Sequence, residues 1–111
     1  MKKIYCNFAS NVFYSTGKYK TFTNYLKKKF HTIADEFDDD GETFNGEVQT
    51  ITHKNKRYYY IWTRNHNNQQ IYHEALHACL RIAEYLGIPT DARTSEFLTY
   101  LQEDFVEQIK N

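Results

Sequence analysis

The 111-residue chain reads as one small α+β domain, and three observations carry that expectation. Two neighbouring segments, GEVQTITH and RYYYIWTR, are rich in β-branched and aromatic residues and are separated only by KNK. Three other stretches repeat apolar residues every three or four positions, the period of a helix with one buried side. With four Gly, one Pro and 41% apolar residues, the length fits a single modest core, with no linker and no internal repeat. The predicted arrangement is a small antiparallel or mixed sheet with its helices on one side.

Residues 3–9, KIYCNFA, alternate with Ile4, Cys6 and Phe8 on one side and predict a strand. From Thr21, the spacing of Phe22, Tyr25, Leu26, Phe30 and Ile33 predicts a backing helix over 21–33, with Lys27, Lys28 and Lys29 on its outer face. DEFDDDGETFNG, residues 35–46, reads as a polar turn. The two β-rich segments then form a hairpin. A helix is expected from about Gln69 to Leu86, stopped by Gly87 and Pro89. A last helix runs from about Thr94 to Ile109, burying Phe97, Leu98, Leu101, Phe105 and Ile109.

Formal net charge is zero, but it is segregated: residues 1–30 hold seven Lys and no acid, and residues 31–50 hold seven acids and no Lys or Arg. The basic start with Tyr5, Phe8, Tyr14, Tyr19 and Tyr25 has the ingredients of a single-strand nucleic-acid platform. Most of those aromatics fit core positions, so no nucleic-acid partner is expected. The opening has no apolar run suited to a signal peptide, and no stretch approaches the length needed to cross a bilayer. The expected compartment is the cytoplasm, where Cys6 and Cys79 read as small buried apolar residues and not as a disulfide.

Glu36, Asp38, Asp40, Gly41 and Glu47 fall at positions 1, 3, 5, 6 and 12 of a calcium-binding EF-hand loop. Position 1 is Glu instead of Asp, and a strand follows where the second helix is required. An acidic solvated turn is therefore expected there.

The chemically specific segment is HEALHA, residues 73–78, inside the fourth element. Ile71, Ala75, Ala78, Cys79, Leu80, Ile82, Ala83 and Leu86 take the apolar arc, which leaves His73, Glu74, His77, Arg81 and Glu84 together on the polar side. Residues four apart project in adjacent turns from one side, so both imidazoles can reach one ion with Glu74 next to them. This is the H-E-x-x-H arrangement, in which two His bind zinc and the Glu handles a proton of the metal's water. The plainer alternative is an exposed face that carries these residues for solubility, with ion pairs worth about 0.3 kcal/mol.

A catalytic zinc usually takes three protein ligands. Glu96, separated from His77 by eighteen residues and at the start of the last helix, is the candidate third ligand, with Glu103 and Glu107 as fallbacks. An acid behind Thr94 or Ser95 as N-cap also suits a helix's first turn for dipole reasons alone. HEALH followed by Glu96 resembles the gluzincin class of zinc metallopeptidases, and the element order over residues 20–109 is similar to a minimal zincin fold. The chain more loosely resembles small uncharacterised HExxH proteins of bacteriophage genomes. The resemblance implies a zinc held by His73, His77 and Glu96, Glu74 as general base, and a peptide or protein as substrate. Where thermolysin-like members place an acid four residues after the glutamate ligand, this chain has Tyr100. Tyr100 or Tyr72 is the candidate for bonding an oxyanion, and RYYYIWTR could offer an edge to an extended peptide. The competing expectation is a non-catalytic protein-interaction module on the same scaffold, with or without a structural metal.

Overall fold

The computed structural model describes residues 1–31 and 45–111. The calcium-loop reading of Glu36, Asp38, Asp40 and Gly41, the polar turn up to residue 44 and the proposed helical position of Ile33 lie outside the described residues. Among the described residues seven elements follow in chain order: β1 (Lys2–Ile4), β2 (Val12–Thr16), α1 (Tyr19–Lys29), β3 (Gly46–His53), β4 (Lys56–Thr63), α2 (Asn68–Leu86) and α3 (Ser95–Lys110). The α+β expectation and the mixed sheet hold. The sheet order is β1-β2-β4-β3, with β2 parallel to β4 and the other two pairings antiparallel.

The helices, however, do not share one side. Successive side chains of a strand point to opposite faces, and here both faces are covered. Ile4, Val12, Tyr14, Val48, Tyr59 and Ile61 meet α2 and α3 on one face. On the other, Ile51, Tyr60 and Trp62 meet Tyr19, Phe22, Leu26 and Phe30 of α1 and its C-cap. The run YYYIW in β4 has no polar alternation because β4 is a central strand flanked on both faces, where apolar residues are needed at every position.

The first predicted strand is also corrected. Pairing stops at Ile4; Phe8 is exposed, and a second strand, β2, follows after the turn. The sequence VFYST presents Val12 and Tyr14 to one core and Phe13 to the other side, so its short apolar run hid a strand buried on both faces. α1 begins two residues earlier than expected and ends at Lys29, with Lys27, Lys28 and Lys29 in its last turn, where cations favour the negative helix end.

The hairpin turns through Lys54 and Asn55, both at positive φ, as a tight two-residue turn between twisted strands requires. Helix α2 starts at Asn67, whose side chain accepts from the Gln70 amide, and ends at Gly87, whose left-handed φ of 74° lets the Ile88 amide reach the Ala83 carbonyl. The chain then returns as α3, and the Gln102 carboxamide donates to the Tyr72 carbonyl across the helix pair. Val106 joins the expected buried stripe of α3, while Phe97 is only partly buried. Both thiols are free, with Cys79 fully buried in the α2 core.

Candidate metal centre

Helix α2 turns Ile71, Ala75, Ala78, Cys79, Ile82 and Ala83 into the core, which fixes the direction of everything else on it. His73 and His77 project outward, one turn apart, with their Nε2 atoms 3.2 Å from each other. The Glu74 Oε2 lies 3.9 Å from the His73 Nε2, and one ligand atom from each of His73, Glu74 and His77 can be chosen so that all lie within 4.8 Å. Two imidazole nitrogens that share a tetrahedral zinc at 2.0–2.1 Å stand about 3.4 Å apart, so the separation fits a common ion without moving either ring far.

Glu74 departs from the sequence reading. The sequence places all five polar residues of α2 away from the core; His73, His77, Arg81 and Glu84 are exposed, but Glu74 is only 7% exposed. Its carboxyl is folded against Gly46, at the start of β3, so closely that a Cβ there would stand 2.6 Å from the Glu74 Cγ and Oε2. Burial raises the Glu74 pKa above the usual carboxylate value, and the nearby Glu47 adds to the rise against the opposing pull of His73 and Arg81. Glu47 is itself raised by burial, although hydrogen bonds from Tyr19 and Gln49 work the other way. The His77 pKa is lowered, first by burial and then by His73, which favours the neutral imidazole that a metal requires.

Arg81, seven residues beyond Glu74 on the same flank, donates from Nη1 to the Val48 carbonyl at 2.8 Å and to the Thr50 hydroxyl at 3.1 Å. It ties α2 to β3, one of the two edge strands among the described residues. The Arg64 amide bonds to the Asn45 carbonyl, so the antiparallel alternation aims the main-chain groups of Gly46, Val48, Thr50 and Thr52 away from β4. The histidine flank therefore runs beside a strand edge that no other described strand pairs. The sequence reading had given that role to RYYYIWTR, but β4 pairs on both sides and offers no edge.

Glu96 sits in the first turn of α3, exposed, in a shallow depression with Arg93, Thr99 and Tyr100. Among the described residues the metal-competent group comprises His73, Glu74 and His77, without Glu96. Tyr100 is 64% exposed beside Glu96, and Tyr72 lies with Glu103 and Glu107 in another surface depression. Among the described residues Glu96, Glu103 and Glu107 all stay outside the group. Conversely, Gly46 packs against the Glu74 carboxyl while the charges of Glu47 and Arg81 act on it, and the sequence reading gives none of the three a part in the site. Arg81 was visible at helical spacing from His77; which strand would lie beside it was not.

No known protein family, curated protein or solved structure matches this chain.

Proposed function

We propose that this chain is a small zincin-like zinc-binding protein that hydrolyses peptide bonds, with His73 and His77 holding the ion and the Glu74 carboxylate serving the reaction's proton transfers. The observation that carries the reading is the burial of Glu74 between the two imidazoles and the β3 edge. An acid placed only for solubility has no reason to be 7% exposed against a glycine. Zinc bound there would lower the pKa of a coordinated water to about 7 and polarise a carbonyl. Glu74, its pKa raised by burial, is suited to take up a proton and release it to a leaving amine. The outward main-chain groups of Gly46 and Thr50 and the Val48 amide would hold an extended substrate by strand addition, while Arg81, already bonded to the Val48 carbonyl, keeps the edge at a fixed distance from α2.

The placement of Glu96 outside the group favours a second reading, in which the same residues bind a metal for a non-catalytic interaction module. A peptide-library digest with untagged, zinc-loaded protein separates the two. Glu74→Gln should retain the metal and lose cleavage by a factor on the order of a hundred or more. Cleavage by neither protein would select the binding module, and a chain that takes up no zinc at all would overturn both.

A further inference from the structure

A second site is suggested at the opposite end of the sheet, where a cavity of about 380 Å³ opens between the β1–β2 connection, the hairpin turn with the start of β4, and Tyr85 near the end of α2. Its wall contains Lys56, Arg57 and the carboxamides of Asn7, Asn11 and Asn55, and no acid. For a chain with equal numbers of acidic and basic residues this is a local excess of donors and positive charge.

Arg57 gives the cavity its character. The guanidinium is half-buried, stacks over the Tyr85 ring at 4.4 Å and donates from Nε to the Tyr59 hydroxyl at 2.8 Å. No carboxylate among the described residues pairs with it, and its terminal nitrogens find no acceptor there. The fork is open to solvent with its stem packed on aromatic rings, so an anion could take both terminal nitrogens without displacing a protein partner. The setting is also held rigidly. Asn11 accepts from the Tyr59 amide through its carbonyl and donates from Nδ2 to the Arg57 carbonyl, while Gln108 of α3 bonds both the amide and the carbonyl of Tyr5. Phe8, 46% exposed and edge-on to Phe97, and Tyr85, 64% exposed, add ring surface at the mouth.

We propose that this cavity binds a small phosphate monoester carried on a flat ring, of the nucleoside monophosphate class. The phosphate would lie between the Arg57 fork and Lys56 within reach of the Asn carboxamides, and the ring would stack against the Phe8 and Tyr85 surfaces. Two cations match the double charge of a phosphate monoester better than the single charge of a carboxylate, Arg supplies the bidentate geometry, and the volume falls in the small-molecule range. Tyr85 lies eight residues beyond His77, about 12 Å along α2, so this site and the histidine pair are separate.

Calorimetric titration of the metal-stripped full chain with adenosine monophosphate, inorganic phosphate and adenosine tests the proposal. Adenosine monophosphate should bind at least about tenfold more tightly than either fragment, and added salt should weaken it. Arg57→Gln should weaken it by about tenfold or more. Phe8→Ala should weaken adenosine monophosphate and leave inorganic phosphate unaffected. Lys56→Gln, at an exposed position, should cost a few-fold and serves if the Arg57 variant does not fold. No heat or saturation up to about 10 mM nucleotide, or affinity unchanged in both cation variants, overturns the proposal. Adenosine binding as tightly as its monophosphate refutes the anion site, and inorganic phosphate binding as tightly refutes the ring.

Discussion

A single absent methyl group shapes the Glu74 environment. Gly46 is the point where β3 passes the carboxyl, and any larger residue must displace it. Gly46→Ala is therefore expected to destabilise the protein by about 1–3 kcal/mol through overpacking. The same change should cost much less in a Glu74→Ala background, where the obstructing side chain is gone. Denaturant melts of the four proteins of that cycle measure the coupling, expected at about 0.5–3 kcal/mol; additive effects would mean that the two residues do not meet. Cys79 offers a second test at this scale. Burial pushes its thiol up to about 12, from an ordinary value of 9.0. Between those values the unfolded chain has lost the proton that the folded chain keeps, so stability must fall as pH rises through that window. By pH 10 the loss from this group should be about 1.4 kcal/mol, and by pH 8 almost nothing. Comparing Cys79→Ala with the parent at both pH values isolates it from the other groups that titrate there. An equal pH slope in both proteins would contradict the burial of this thiol.

Hairpin β3–β4 is held by a turn whose residues are not the best for it. Lys54 and Asn55 sit at φ 51° and 65°, where a side chain is tolerated at a cost and Asn-Gly is the preferred pair. Replacing them through Lys54→Asn with Asn55→Gly is expected to stabilise the domain by about 0.5–1 kcal/mol, read as a higher melting temperature with no change in zinc uptake. A lower melting temperature would mean that these side chains hold the turn by contacts of their own. The hairpin, α2 and α3 were legible in the sequence because their signals are local: a β-branched run, a 3.6-residue period and a stop at Gly87. The strand VFYST was not, since a five-residue apolar run has no period of its own and its identity comes from pairing with Ile61 and Trp62, far along the chain. The placement of α1 on the opposite face and the edge position of β3 are likewise tertiary facts. At the site, the pairing of His73 with His77 could be read from helical spacing alone. The burial of Glu74 could not, because it depends on a strand 28 residues earlier presenting Gly46 to it.

At the scale of the whole molecule, the scaffold and the candidate metal site are built from different residues, and this decides what a metal can do. One core cluster joins α2 and α3 to the sheet, the other joins α1 to its far face, and neither includes His73 or His77. Fully buried side chains such as Phe105, Leu26 and Trp62 each contribute about 1.5–3 kcal/mol of transfer free energy whether or not an ion is present. The metal-stripped protein is therefore expected to remain folded and to melt cooperatively, unlike a zinc finger, whose fold requires the ion. A ligand that binds the native state at a hundred times its dissociation constant adds about 2.7 kcal/mol. In a domain of this size that corresponds to a rise of about 10 °C in melting temperature. Adding zinc to the stripped chain should produce a shift of that order, which His77→Ala removes and Glu74→Gln largely keeps. Since protonated imidazoles do not bind metal, the shift should shrink as pH falls through the histidine range; the lowered pKa of His77 lets it persist further into acid than an ordinary histidine would. Thermal melts followed by near-ultraviolet circular dichroism, with and without zinc at pH 7.5 and about pH 5, check both statements. A stripped protein with no cooperative transition would make the ion part of the fold, and a shift that survives His77→Ala would move the metal away from this pair.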